Sequence, residues 1–182
     1  MKIRIVSAVS ACAALTACFA SEESLIADGE GVLPVDSAIT LCVEQDSPCL
    51  ELVVDGDGYS SAPGTPQDQS GRVRFAPLTQ RAGRQVFILE VWPEGSGGYL
   101  YLIARRHPSP IIDRSSLQLA SPDCIDLKDS AVVAFESVGG EISRGMISTC
   151  LAPNLDVLRT AFLTTYGPDM GNDSWWNTMS ER

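Results

Sequence analysis

The chain has 182 residues, 45% of them hydrophobic and 20% charged, and a formal net charge of −10 at pH 7. That composition is globular, with length for one domain and a genuine core. So negative a chain argues against a nucleic-acid partner. After residue 18 no apolar run reaches the about 20 residues that span a bilayer.

The charge is unevenly placed. Residues 19–71 hold eleven acids and no Lys or Arg, whereas residues 72–182 hold twelve acids and eleven bases. Within the second part Arg72, Arg74, Arg81, Arg84, Arg105, Arg106 and Arg114 face only Glu90, Glu94 and Asp113, so a central segment is net positive.

Lys2 and Arg4 open the chain, and an apolar, small-residue run interrupted by Arg4, Ser7, Ser10 and Thr16 follows to Ala17. This is the layout of a signal peptide over residues 1–17. The run ends in Leu15-Thr16-Ala17-Cys18, which resembles the lipobox of bacterial lipoproteins. The resemblance implies cleavage before Cys18, lipid on that cysteine and palmitate among its acyl chains. Attachment to the membrane would then run through Cys18, and Phe19 in place of an aspartate favours the outer membrane. One alternative is a transmembrane anchor, for which about fifteen residues are short. Another is cleavage after Cys18-Phe19-Ala20, which would release a soluble periplasmic protein.

Residues 18–37 are acidic, rich in Ser, Gly and Pro, and without periodicity, so a flexible tether is expected there. Residues 38–182 are then a single disulfide-bonded, β-rich domain. Runs at 39–43 and 49–54 flank a polar turn and predict a hairpin that brings Cys42 near Cys49. With Cys124 and Cys150 these form an even set that reads as two disulfides in an oxidising compartment. Three connectivities are possible, and proximity favours Cys42 with Cys49 and Cys124 with Cys150.

Asp55-Gly56-Asp57-Gly58 ends the second strand and opens a loop to Gly71. An EF-hand would need Glu at its twelfth position, which here is Pro66. Residues 72–75, 85–92 and 99–104 predict three antiparallel strands, with Pro77 closing the first. The middle one is apolar on both sides, with Phe87, Leu89 and Val91 opposite Val86, Ile88 and Trp92, so it should be covered twice. Residues 131–138 and 141–151 read as a further hairpin turned at Gly139-Gly140. A helix follows at 155–166, capped by Asn154 and striped by Leu155, Leu158, Phe162 and Tyr166. The tail carries Trp175 and Trp176, which should dock back. The expected class is mainly β (α+β), an antiparallel meander or sandwich-like domain with one C-terminal amphipathic helix on its sheet.

No nucleophile with a base stands out, and no catalytic residue is assigned. His107 is the only histidine and there is no C-x-x-C, so neither a metal nor another cofactor is expected. Alternation puts Arg72 and Arg74 on one strand face, and Arg84, Arg105 and Arg106 flank the neighbouring strands. Together they form a possible ligand face for an envelope protein or an anionic glycan or lipid. The same arginines could instead neutralise Asp55, Asp57 and the acidic front. The expected function is a non-catalytic binding or structural module of the envelope. The alternatives are an envelope-polymer hydrolase and an inhibitor of a basic envelope-degrading enzyme.

Overall fold

The structure, a computed structural model, describes residues 17–41, 50–66, 70–93, 97–107, 117–144 and 148–180. In chain order these form β1 (Ala17–Ser21), β2 (Ile39–Leu41), β3 (Leu50–Asp55), β4 (Gly58–Ser61), β5 (Gly71–Arg81), β6 (Arg84–Pro93), β7 (Tyr99–Arg106) and β8 (Leu117–Ala120). A 3-10 turn at Cys124–Asp126 leads into α1 (Asp129–Ser137), β9 (Glu141–Ser143), β10 (Ser148–Leu151), α2 (Leu155–Tyr166) and α3 (Asp173–Ser180). The strands make one sheet in the order β2-β3-β4-β5-β6-β7-β1-β10-β9, and β8 pairs with β7. The domain is mainly β with helices, as expected, and the meander β5-β6-β7 lies at its middle. The sheet is nevertheless mixed, because β1 runs parallel to β10 and antiparallel to β7.

β6 is the twice-covered strand. Phe87 and Leu89 meet Phe75, Tyr59, Leu52 and Ala104 on one side, while Val86 and Ile88 meet Ile103, Tyr101, Phe19 and the helices on the other. Each such side chain removed from water contributes about 1.5–3 kcal/mol, so the two layers stabilise β6 from opposite directions. α2 lies on the second layer through Leu158 and Phe162, and Asn154 Oδ1 caps it by accepting from Val157 N at 3.0 Å. Cys124 and Cys150 are bridged, with Cα atoms 5.7 Å apart, and both are buried in this layer. Cys42 and Cys49 lie outside the described residues.

Five expectations are corrected. Pro77 does not end its strand: β5 continues to Arg81 past a register shift between Pro77 and Thr79, because a bulge needs no ladder donor there. The turn is Ala82-Gly83, both at positive φ, as a primed hairpin turn requires. Asp55-Gly56-Asp57-Gly58 opens no long loop; it turns tightly into β4 with Asp55 opposite Gly58. Residues 131–138 are mostly α1, which buries Ala131 and Phe135 at i, i+4. The paired glycines finish that helix. Gly139 takes φ 95°, Gly139 N donates to Glu136 O and Gly140 N to Phe135 O, a Schellman close. Among the described residues three α-helices are therefore present where one was expected, and the tail with Trp175 and Trp176 docks as α3, as expected.

The fifth correction concerns the acidic tether. Residues 17–21 are a strand inside the sheet, and Phe19 is 0% exposed. Residues 22–36 run on as a strap over the sheet, with Ile26 and Val35 buried. Local composition gave no periodic signal because the strap is held largely through backbone N–H groups, those of Leu25, Ile26, Gly29, Gly31, Val32 and Val35, which every residue type but proline supplies.

Candidate ligand cleft at Arg72 and Trp92

The strap is stitched down one polar group at a time. Glu90, buried on β6, accepts from Ser24 Oγ at 2.7 Å, Leu25 N at 2.8 Å, Ile26 N at 3.3 Å and Tyr101 Oη at 2.9 Å. Tyr101 Oη also meets Ser21 Oγ at 2.7 Å, and burial, with Glu90 beside it, pushes the phenol pKa well up. Farther along, Asp57 Oδ2 accepts from Gly29 N at 2.8 Å and Gly31 N at 3.1 Å. Val32 N donates to Phe75 O at 2.9 Å, and Val35 N to Tyr59 Oη at 3.2 Å. Burial alone would raise the Asp57 carboxyl, but the Gly31 and Gly29 donors and the Arg74 guanidinium outweigh it and hold it below the ordinary value.

The five arginines of the expected ligand face do not share one surface. Arg74 is spent on the strap: it donates to Ile26 O at 2.8 Å, pairs with Asp28, and stands 3.6 Å from Asp57. Burial opposes its charge, yet Asp28 and Asp57 outweigh that and favour the charged form. Arg106 donates to Pro34 O on the same strap. Arg105 is 1% exposed, donates through Nε and Nη2 to Gln118 Oε1, and lies 4.5 Å over the Trp176 ring. Arg84 and Arg105 both reach Asp173, at 2.6 and 2.8 Å, and so fasten α3. The Arg84 hydrogen bond, more than burial opposes it, and then Arg105 hold the Asp173 carboxyl low.

Arg72 differs from the other four. Its side chain is 46% exposed, and its charge partner is Asp55, also exposed, at 3.6 Å. On β5 it stands opposite Trp92 of β6, and Arg74 stands opposite Glu90. These residues, with Ser24, Asp28, Val73 and Tyr99, line a cleft of about 380 Å³. Its floor is rigid, since Glu90 and Arg74 are committed to the strap, while Arg72, Trp92 and Tyr99 remain partly accessible. A surface ion pair such as Arg72 with Asp55 is worth only about 0–1 kcal/mol, so exchanging Asp55 for another anion costs little.

Cys18 lies in β1 with its backbone in register with Thr149. His107 lines a separate depression of about 270 Å³ with Gly83, Arg84, Gln85, Phe87 and Arg106. Among the described residues no group of three His, Cys, Asp or Glu could hold a metal, and no helix is long and apolar enough to cross a membrane. Sequence reading passed over Ser24, Glu90 and Tyr99 as site residues. A lone carboxylate in an otherwise apolar strand was the available signal for Glu90. The fold and cleft define a mixed α+β domain with a polar-floored surface cleft. Comparison with protein-family models, curated proteins and solved structures finds no match to the chain.

Proposed function

We propose that the protein is a lipid-anchored envelope module, held at the outer membrane through Cys18, that binds an anionic partner at Arg72. The observation that carries the ligand reading is the state of that guanidinium: accessible, at a cleft mouth, and paired among the described residues with an exposed carboxylate. Guanidinium is weakly hydrated and forks onto carboxylate or phosphate, so the chemistry suits an anion. A hydrolytic reading of this cleft would need free carboxylates, but of the two that line it Glu90 accepts from four donors and Asp28 pairs with Arg74. The anchoring reading is supported by Leu15-Thr16-Ala17-Cys18 and the apolar run before it.

Two measurements test the proposal separately. Cys18→Ser should abolish palmitate labelling and membrane fractionation; retention of both removes the anchor. Arg72→Glu should lose envelope material captured by the wild type while keeping its unfolding midpoint. Capture undiminished by that reversal removes the ligand site, whatever the fate of the anchor.

A further inference from the structure

A second depression, of about 570 Å³, adjoins the cleft and is lined by Ser60, Ser61, Thr65, Gly71, Arg72 and Trp92 among others. Arg72 and Trp92 line both hollows, so the two meet at this cross-strand pair. The recess therefore continues past the guanidinium on either side, which fits a chain passing through rather than a small anion ending there.

We infer that this two-lobed groove takes an extended acidic oligosaccharide, with Trp92 as the platform for a sugar ring and Arg72 as the group that meets its carboxylate or phosphate. This rests on the reading of Arg72 as the ligand-binding arginine. Three observations carry it beyond a generic anion site. Trp92 is half-buried where the two lobes meet and Tyr99 is half-buried in the first lobe, and such rings offer a large apolar face of the kind the C–H side of a pyranose covers. The second lobe is lined by the hydroxyls of Ser60, Ser61 and Thr65; Ser61 and Thr65 already donate to Gly71 O and Ala62 O, so what they can still offer a hydroxylated ligand is an acceptor lone pair. A bilayer lipid would instead require an apolar wall for its chains next to the headgroup site. Finally, the floor is already built: Ser61 Oγ is bonded to Gly71 N at 2.8 Å, and Glu90 and Arg74 are held by the strap. A ligand would have little protein to order on arrival.

Tryptophan fluorescence titration of the full-length protein with hexagalacturonate, maltohexaose and digalacturonate tests this, alongside polyglutamate and phosphatidylglycerol vesicles. The acidic hexamer should bind, the neutral hexamer and the acidic dimer each about tenfold or more weakly. Trp92→Ala and Arg72→Gln should each weaken the hexamer by about tenfold, and Trp92→Phe should restore most of the loss. Calorimetry replaces fluorescence for the Trp92 variants, and circular dichroism confirms that each is folded. Binding of polyglutamate or vesicles through Arg72 with no preference for the acidic hexamer overturns the saccharide inference and leaves the anion site standing. If none of these anions binds, both fall. Equal binding of the acidic and neutral hexamers overturns the role of Arg72, and full affinity in folded Trp92→Ala overturns the platform.

Discussion

Arg72 and Arg105 are indistinguishable by local sequence, each a charge at the end of a β-prone run, and the fold gives them opposite fates. Arg105 falls on the face of β7 that also carries Tyr101 and Ile103 and is covered by α3, so its charge is answered by Asp173, Gln118 and the Trp176 face. No alternation rule could announce that, because the covering element arrives about seventy residues later in the chain. Asp57 was likewise legible only as a turn residue, and its hold on the strap was not. Replacing it with alanine should cost about 1–3 kcal/mol, the range for charged hydrogen bonds left unmade. The Asp57 carboxyl sits below the ordinary 3.8 in the folded state. Its contribution is therefore present above the unfolded value and lost as pH falls through the folded one. Denaturant midpoints of wild type and Asp57→Ala should differ at neutral pH and converge as the pH falls below the ordinary carboxylate range; a gap that persists in acid would assign the effect to packing.

At the level of elements, strong periodicity was readable and capping was ambiguous. The helical stripe of residues 155–166, the cap at Asn154 and the two-sided apolar pattern of β6 each had one physical reading, and the structure bears them out except at Trp92, which leaves the second apolar face and stands half-buried in the cleft. Val132 and Val133 favour strands by propensity, and a glycine pair serves a hairpin or a helix end equally well, so α1 was misread from a sound rule. α2 should be required for folding: Leu158→Ala and Phe162→Ala should each cost about 2–5 kcal/mol, since both are fully buried. Thermal or denaturant midpoints near wild type would show that the layer relaxes around them. Gly140 leaves little room for change, as a Cβ there would stand 2.4 Å from the Phe135 ring.

For the whole molecule, the acidic front and the basic middle turn out to be two sides of one contact. Arg72 pairs with Asp55, and Arg74 with Asp28 and Asp57, so three acids of the front meet two arginines of the middle, and of those two Arg72 is the more exposed. A domain beginning at residue 38 would lack β1 and the strap. The protein without residues 1–37 should therefore fail to give a cooperative unfolding transition, since β7 and β10 lose the strand between them and Phe19 leaves its place against Phe135 and Phe162. A truncated chain that melts cooperatively near the wild-type temperature would restore the tether.

The position of β1 also has a mechanical side. Its backbone is bonded on one flank to β10, which runs parallel to it, and on the other to β7, which runs antiparallel, so both ladders lie along its axis. A tug applied at Cys18 is thus borne in shear by several hydrogen bonds at once instead of opening them singly. Between that residue and the core there is no slack to take up, since Phe19 is already buried, so the proposed anchor at Cys18 would also set the heading of the whole sheet.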